Sequence, residues 1–379
     1  MRANVFTDKA LERYAGRFVW LAVDTENSSN ADFLTTYPIN VWPTLLIVDP
    51  RKEKIALRYL GGATVPQLRK LLTDGERLSG TKPQIASDKL MIEADQLAAE
   101  KKNAEAARLY ARAIDQAPKN WSRLGRAAEA LEFSTYMAQD YQGCVDAAVR
   151  LLPKLEGTAS GANVAAVGLG CATELDAKAP NRTSLIETLE KATRAARDDP
   201  KIPLSGDDRS GLYESLVSAR EALKDENGAH ALREQWATFL EGVAAKAKTA
   251  EQRAVYDSHR LSVYLDLKTP EKAIPMLEQS ERDFPKDYNP PARLGLVYRT
   301  MKKYDEAIAA YDRALKLAYG PRKIAIMRGR AESLAEKGDK ETARNAMMET
   351  LAFAKSLPVG QRSDRTIASL EKRMTELAQ

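Results

Sequence analysis

The residues that most often carry chemistry are scarce in this chain. It contains two cysteines, Cys144 and Cys171, and two histidines, His230 and His259. A zinc site needs about four clustered ligands, and these side chains are too few and too separated along the sequence to supply them. The cysteines do not form the C-x-x-C pair of a redox-active dithiol either. The sequence therefore predicts no catalytic residues, no metal site and no cofactor.

Two other patterns have ordinary structural explanations. The acidic pairs Asp198-Asp199 and Asp207-Asp208 fall where helices are expected to end or begin, and Asp is favoured there by capping and by the helix dipole. Gly61-Gly62 and Gly168-x-Gly170 lack the Lys-Ser/Thr that follows a phosphate-binding glycine loop. We expect a turn at the first and a tolerated helix defect at the second, and no nucleotide site.

The composition indicates a mainly helical protein of more than one part. Its 379 residues exceed one ordinary globular core. Ala, Leu, Glu, Lys and Arg dominate the last three quarters, while the 20 Gly and 17 Pro fall mainly between periodic segments. The 58 basic and 53 acidic residues are interspersed, with a net charge of +5, so nucleic acid is not an implied partner. No run approaches the ~20 apolar residues that a membrane span needs.

Short apolar runs rich in β-forming residues predict three strands near the N-terminus. They are Phe18 to Asp24, Thr44 to Val48 and Ile55 to Tyr59. Helices are expected from Arg2 to Ala15, from Ala31 to Tyr37 and from Val65 to Leu78. The predicted order is helix, strand, helix, strand, strand, helix.

This order, with Val41-Trp42-Pro43-Thr44 entering the second strand, resembles the C-terminal three quarters of a thioredoxin fold over about residues 1–78. The resemblance implies a partial thioredoxin-like domain, residues 1–80, with a cis peptide bond before Pro43. In that family the loop of Trp42, Pro43 and Thr44 contacts peptide substrates, so here it either keeps that surface or only shapes the turn. The family's C-x-x-C is missing, because no cysteine precedes Cys144.

The missing dithiol leaves two explanations open. In one, Met1 is an internal methionine, and the first strand and the C-x-x-C lie upstream of it. In the other, the domain is a shortened, redox-inactive one. The segment after Met1 lacks the apolar core and cleavage site of a signal peptide, which predicts a cytoplasmic chain as written. An upstream start with an export signal would instead predict a periplasmic protein.

From about Lys89 the hydrophobic period becomes helical, and similar segments recur at intervals close to 34 residues. The segment from Pro290 to Pro321 resembles a tetratricopeptide repeat. The residues that carry the resemblance are Leu294, Gly295, Tyr298, Ala307, Tyr311 and Ala314. It implies a helical solenoid of about seven helix pairs over residues 83–379, so the predicted fold class is mainly α with a small partial α/β domain in front.

The repeat resemblance gives Cys144 two alternative roles. Its segment, DYQGCVDAAVRLLP, places Cys144 where the repeat requires a small buried residue, an ordinary role for a free cysteine. The other role is a disulfide with Cys171, which is expected on the first helix of the next pair. That bond requires Cα atoms within ~7 Å, and it would favour an exported protein.

In solenoids of this kind, the first helix of each pair lines a concave groove that binds peptides. The matching positions here include Phe133, Tyr136, Arg299 and Arg328. The leading hypothesis is a non-catalytic scaffold that binds a protein or peptide partner through its repeats. The alternative is a thiol–disulfide oxidoreductase of the thioredoxin family whose C-x-x-C lies upstream of Met1.

Overall fold

The structure is a computed structural model, and it describes residues 5–39, 41–79 and 85–377. The chain forms two compact units. Unit 1 comprises Met1–Phe18 and Ile39–Phe239, and unit 2 comprises Val19–Pro38 and Leu240–Gln379. Both are mainly helical, which confirms the predicted mainly α fold class. The predicted boundary between residues 80 and 83 lies outside the described residues.

Unit 1 contains a β-hairpin. Strand β1, Thr44–Asp49, pairs antiparallel with β2, Lys54–Leu60, so that Thr44 lies opposite Leu60, with a bulge between Ile47 and Val48. The peptide bond between Trp42 and Pro43 is cis. The hairpin packs on helix α2, Val65–Ser79, through a core that includes Leu57, Leu68 and Leu71. These elements closely follow the strands and the helix predicted for residues 44–78.

The predicted strand from Phe18 to Asp24 is wrong. These residues form no β-ladder, and Val19 and Leu21 are 89% and 77% exposed. The last residue of the predicted strand, Asp24, is bound within unit 2, where Tyr319 Oη donates to its Oδ2 at 2.7 Å. A strand needs a neighbouring strand for its backbone groups, and the two-stranded hairpin is the only sheet among the described residues. A thioredoxin-like sheet is therefore not formed there.

The other N-terminal helices are shorter than predicted. A 3₁₀ helix, Lys9–Tyr14, stands within the predicted Arg2 to Ala15, and residues 2–4 lie outside the described residues. In unit 2, α1 spans Ala31–Thr36, after a 3₁₀ turn at Ser28–Asn30. The backbone N–H of Arg322 donates to Glu26 Oε2 at 2.9 Å, so the segment before α1 is tied to the start of a later helix.

The rest of the chain alternates between helices and short turns. The helices of residues 86–245 are α3 Ala86–Ala99, α4 Asn103–Asp115, α5 Leu124–Met137, α6 Tyr141–Leu155, α7 Ala159–Glu174, α8 Arg182–Asp198, α9 Gly206–Ala222 and α10 Glu226–Ala245. Those that follow are α11 Ala250–Ala254, α12 Asp257–Asp266, α13 Ala273–Asp283, α14 Asn289–Thr300, α15 Tyr304–Leu315, α16 Arg322–Lys337, α17 Lys340–Ser356 and α18 Asp364–Leu377, with a 3₁₀ turn at Pro270–Lys272.

Six of the turns between helices share one backbone feature, a residue in the left-handed region. These residues are Lys101, Gln139, Lys224, Lys268, Lys302 and Gly338. A left-handed residue just after a helix lets the chain reverse while satisfying the last carbonyl groups. The feature therefore marks the reversal between the two helices of a pair.

In the predicted repeat of unit 2, the small residues lie where helices pack closely against one another. Ala307 and Ala314 of α15 are fully buried. The ring of Tyr311 lies between Gly295 of α14 and Gly329 of α16, because a Cβ on either glycine would come within 2.7 Å of that ring. The two glycines thus make room for one tyrosine between adjacent repeats.

Buried charges join the first helices of unit 1. The guanidinium of Arg123 donates to Asp88 of α3 at 2.8 Å and to Asp74 of α2 at 2.7 Å. Trp121 Nε1 donates to the same Asp88 carboxylate at 3.0 Å. Asp88 and Arg123 are almost completely buried, so this ion pair belongs to the core and not to the surface.

Candidate peptide-binding groove

Three helices of unit 1 surround a cavity of about 340 Å³. α7 packs against both α5 and α9, so it lies between them. The residues that line the cavity come from these helices, from α4 and from the end of the hairpin. They are Arg58, Tyr59, Leu60, Gly61, Gly62, Tyr110, Arg126, Glu129, Ala130, Phe133, Ser134, Asn163, Ala166, Val167, Asp207, Asp208, Gly211 and Leu212. We call this cavity the α5–α7–α9 groove.

Helical spacing places the groove side chains on one face of each helix. In α5, Glu129 and Phe133 follow Arg126 by three and seven residues, and residues so spaced are neighbours on a helix surface. In α7 and α9 the lining includes small residues such as Ala166 and Gly211. A Cβ on Gly211 would meet no atom within 4 Å, so the groove is open above that backbone.

The end of the hairpin forms another wall of the groove. Tyr59 Oη is hydrogen-bonded to the carboxylate of Glu129 in α5. A Cβ on Gly62 would lie 4.0 Å from Oδ1 of Asp208 in α9. Residues 59–62 therefore extend from α5 to α9 across one side of the cavity.

Side chains of the helices close the outer edge of β2. The backbone N–H of Arg58 donates to Asp95 Oδ2 of α3 at 3.1 Å, and its carbonyl accepts from Arg126 Nη1 of α5 at 3.1 Å. Gln96 Nε2 donates to the carbonyl of Ile55 at 3.4 Å. Backbone groups at the edge of β2 are thus satisfied by α3 together with α5, the helix that lines the groove.

Glu129 is the carboxylate with the most contacts in the groove. It accepts hydrogen bonds from Ser160, Tyr59 and Asn163, which lower its pKa, yet burial raises the pKa above its ordinary value. Within the described residues, its second oxygen, Oε1, is buried without a hydrogen-bond partner. Glu129 is therefore a desolvated acid with one acceptor atom still unused.

Asp208 is a second desolvated acid. Its Oδ2 accepts from Ser205 N at 2.9 Å and from Ser205 Oγ at 2.8 Å, completing the N-terminal cap of α9. Burial raises the pKa of Asp208, and the Ser205 hydrogen bonds oppose this shift. Burial also raises the pKa of Tyr59 well above its usual range, and Glu129 and Asp208 add to that shift. Both carboxylates thus lie near the Tyr59 hydroxyl.

Arg126 supplies the positive charge on the same face of α5. It is 6% exposed, and its Nη1 donates to Asp95 Oδ2 at 2.8 Å. Nε and Nη2 have no hydrogen-bond partner among residues 5–39, 41–79 and 85–377. α5 therefore carries a buried donor edge and a buried acceptor, three residues apart, that have no hydrogen-bond partner among the described residues.

The structure places two of the predicted groove residues on α5. Phe133 lines the cavity beside Ala130 and Ser134. Tyr136 does not line it. Tyr136 is 39% exposed, and its ring meets that of Tyr141 edge-on at 5.9 Å.

The other two predicted groove residues lie in unit 2, where they form ion pairs. Arg299 of α14 pairs with Glu332 and Glu336 of α16, with its Nη2 2.6 Å from Glu336 Oε1. Arg328 Nε lies 3.8 Å from Glu332 Oε1. Arg299 thus joins α14 to α16, whereas the Arg328 pair lies within α16. Two of the four predicted residues lie in each unit.

Cys144 of α6 and Cys171 of α7 form a disulfide, with Cα atoms 6.2 Å apart and both side chains fully buried. Glu132 Oε2 of α5 lies 3.1 Å from Cys144 Sγ. A disulfide sulfur carries no proton, so the carboxyl group is the only possible donor in this contact. Burial raises the pKa of Glu132 to about 9, which keeps it protonated at neutral pH.

The loop of Trp42, Pro43 and Thr44 lies at the start of β1. Trp42 is 57% exposed, and Thr44 Oγ1 donates to the carbonyl of Val41 at 2.7 Å. None of these three residues lines the α5–α7–α9 groove. Whether the loop keeps a peptide-binding role stays a prediction.

Two kinds of feature are absent from the part of the chain that the structure describes. It contains no group of three or more Cys, His, Asp or Glu side chains placed to hold a metal ion. Within the same residues, no helix combines the length and apolar character needed to span a bilayer.

Sequence reasoning missed Arg126, Glu129 and Asp208 as groove residues. Asp208 had been explained by helix capping alone, and it does cap α9. The missed signal was the placing of Arg126 and Glu129 on the face of α5 that also carries Phe133, within the stretch GRAAEALEF, whose other residues except Glu132 are small or apolar. Charged residues seldom occupy such a face unless they are paired or functional.

Comparison with protein families agrees with the repeat prediction. A family model described as tetratricopeptide repeat matches residues 288–356, which contain α14 to α17. The prediction of tetratricopeptide repeats is therefore confirmed for this stretch. No curated protein sequence matches the chain.

Solved structures similar to this chain include two whose names contain TPR. The APC/C hetero-tetramer Cut9-Hcn1 is 14% identical with a TM-score of 0.37, covering 82% of this chain, which spans only 55% of that one. A thermophilic TPR protein of Thermus thermophilus is 18% identical, with 77% and 99% of the two chains covered and a TM-score of 0.26. The TPR2AB domain of yeast Sti1 in complex with pHSP90 is 12% identical, with 77% and 98% covered and a TM-score of 0.30.

Proposed function

We propose that this chain is a non-catalytic interaction protein that binds a peptide segment of a protein partner in the α5–α7–α9 groove. The observation that carries this proposal is the pair of unused hydrogen-bonding groups, Glu129 Oε1 and the Nε and Nη2 atoms of Arg126, on the side of α5 that lines a cavity. Buried polar groups without partners are costly, so a ligand that satisfies both would bind favourably.

The shape of the groove supports a chain segment as the ligand. Its volume of about 340 Å³ lies at the small end of the range for ligand pockets, ~300–1,000 Å³. Ala166 and Gly211 let a ligand approach the helices closely, and Phe133, Val167 and Leu212 offer apolar contact. A surface that offers polar groups beside apolar side chains suits a short peptide, because the peptide backbone needs hydrogen-bond partners and its side chains need apolar contact.

A pair of matched glycine variants tests this function. Gly211→Trp fills the groove from a position where a Cβ meets no other atom. Gly242→Trp makes the same change on an exposed part of α10 that is equally open. A library of random 12-residue peptides displayed on phage is selected on the full chain. We expect enriched peptides to bind the wild type and Gly242→Trp but not Gly211→Trp.

Two results would contradict the proposal. One is the absence of any enriched peptide, and the other is equal binding of the enriched peptides to Gly211→Trp and Gly242→Trp. Circular dichroism of both variants establishes that a loss of binding does not reflect unfolding.

The oxidoreductase alternative stays a prediction of the thioredoxin resemblance. The two cysteines of the sequence, Cys144 and Cys171, are bonded to each other and fully buried, whereas a redox-active thiolate is partly exposed. We therefore expect the 379-residue chain to leave insulin disulfides intact in a reduction assay with dithiothreitol. Turnover above the rate with dithiothreitol alone would contradict the non-catalytic proposal.

A further inference from the structure

The two strands of the hairpin in unit 1 differ at their outer edges. Residues 55–59 of β2 are all buried, whereas residues 44–48 of β1 are all half-buried. Side chains of α3 and α5 bond to the outward backbone groups of β2 at Arg58 and Ile55. The register of the hairpin shows which backbone groups of β1 face outward on the opposite side.

Alternate residues of β1 direct their backbone groups away from β2. Leu46 lies opposite Arg58, whose amide and carbonyl bond to side chains of α3 and α5. Two such opposed residues of an antiparallel ladder form a non-hydrogen-bonded pair, so the N–H and C=O of Leu46 also point outward. Because the direction alternates along a strand, the backbone groups of Thr44 and Val48 point the same way.

The outer edge of β1 is open. No residue in the described ranges bonds to the outward backbone groups of Thr44, Leu46 or Val48. Sheet edges are usually protected by charged side chains, by proline or by a bulge within the edge strand. Residues 44–48, TLLIV, contain no charge and no proline, and the extra residue of the bulge is Ala56 of β2. β1 is therefore a regular, uncharged edge that can accept another strand.

We infer that β1 pairs antiparallel with β1 of a second copy of this chain, about a two-fold axis at Leu46. The product is a four-stranded sheet that crosses a homodimer. In this register Leu46 lies opposite Leu46 of the second copy, and Thr44 lies opposite Val48. Each of these pairs exchanges two backbone hydrogen bonds, so every outward group of residues 44, 46 and 48 gains a partner. The inference does not depend on the proposed function.

The chemistry of the strand favours a second copy as the occupant. Every opposed pair in this register is uncharged, so two copies meet without like charges facing each other. The charged turn of residues 51–54 lies beyond the paired residues. Because α3 and α5 cover the outer edge of β2, the four-stranded sheet has no further open edge at which a third copy could add.

A proline in β1 tests the pairing without breaking the hairpin. Leu46→Pro removes an N–H that faces outward and makes no bond to β2, a position at which an edge strand tolerates proline. Leu46→Ala is the matched control, because it shortens the side chain and keeps the N–H. The measurement is sedimentation velocity of the full chain at concentrations up to ~100 μM, which detects micromolar dissociation constants. We expect the wild type and Leu46→Ala to approach twice 41.9 kDa, and Leu46→Pro to remain at 41.9 kDa.

Charges at the two-fold axis test the register. Leu46→Lys and Leu46→Glu each place like charges opposite each other in the dimer, so each variant alone should be a monomer. An equimolar mixture places opposite charges across the axis, and it should associate at least ~10-fold more tightly than either variant alone. Association of the mixture also shows that both variants are folded.

Three results would overturn the inference. The first is a wild-type chain that stays monomeric throughout the concentration range. The second is a folded Leu46→Pro chain that dimerises as Leu46→Ala does, because the contact would then lie elsewhere. The third is a mixture of the two charge variants that stays monomeric. Circular dichroism establishes whether Leu46→Pro is folded, and if it is not, the charge variants decide alone.

Discussion

Charged side chains have different surroundings in helices α14 and α16 of unit 2 and in helix α5 of unit 1. In α14 and α16 of unit 2, Arg299 pairs with Glu332 and Glu336, so the charges hold adjacent repeats together. In α5 of unit 1, Arg126 and Glu129 keep atoms without partners in a cavity. Similar charged residues thus join two helices in unit 2, whereas in α5 they keep buried atoms without a hydrogen-bond partner among the described residues.

Removing one arginine from each unit gives the largest expected contrast. Arg123→Ala removes a fully buried guanidinium that pairs with both Asp88 and Asp74, while Asp88 keeps its ion pair with Arg77, and the loss should cost about 3 kcal/mol. Arg299→Ala removes a partly exposed ion pair and should cost at most about 1 kcal/mol. The measurement is urea unfolding of the full chain. Equal losses of unfolding free energy would show that the buried and the partly exposed ion pairs contribute equally to stability.

The disulfide strengthens unit 1 behind the groove. Cys144 and Cys171 are 27 residues apart, and closing a loop of that length stabilises a fold by about 3 to 4 kcal/mol in the chain-entropy model. We expect the double variant Cys144→Ala and Cys171→Ala to lose about that much in urea unfolding. Alkylation of the unfolded, unreduced wild type is the control. Labelling of both cysteines in the wild type would refute the bond. An unchanged urea midpoint in the double variant would refute its contribution to stability.

Glu132 should make the stability of unit 1 depend on pH. Burial raises the pKa of its carboxyl group to about 9 in the folded chain, whereas its ordinary pKa, which applies when the chain is unfolded, is 4.5. Between these values the folded state binds more protons, so the free energy of unfolding falls as the pH rises, by on the order of 1 kcal/mol per pH unit. Glu132→Gln should remove this slope between pH 5 and 8, and Glu187→Gln, on the exposed surface of α8, should keep it. If the pH dependence of the unfolding free energy is unchanged in Glu132→Gln, Glu132 is not its origin.

Substitutions of two glycines by alanine are expected to change the stability of the chain least. Gly211→Ala adds a methyl group to open space in a helix and should stabilise the chain by up to about 1 kcal/mol. Gly295→Ala places the same group 2.7 Å from the Tyr311 ring and should destabilise it by about 1–3 kcal/mol. Thermal unfolding measures both. Shifts of the same sign would mean that the groove is as closely packed as the repeat interface.

The repeat packing could be read from the sequence, because it depends on neighbours close along the chain. Gly295, Ala307 and Tyr311 lie within one repeat, and their sizes alone define how two helices meet. The groove could not be read in this way. Arg126 meets the carbonyl of Arg58, 68 residues earlier, and that contact exists only once the hairpin docks on the helices.

The strand from Phe18 to Asp24 failed for a related reason. Strand propensity describes a residue that fits a half-buried pleated surface, and it does not provide the neighbouring strand. Its last residue, Asp24, accepts from Tyr319, and Glu26 accepts from Arg322, both about 300 positions away along the chain. No local pattern contains that information.

The closed edge of β2 has a consequence for how the hairpin opens. The Arg58 amide bonds to Asp95 of α3, and the Arg58 carbonyl bonds to Arg126 of α5, so these backbone groups cannot reach water while the helices stay in place. Local fraying of a two-stranded sheet normally exchanges its amide hydrogens quickly. Here the Arg58 amide should exchange with deuterium only when α3 and α5 separate from the hairpin. The protection of the Arg58 amide against exchange therefore reports the joint opening of the hairpin, α3 and α5.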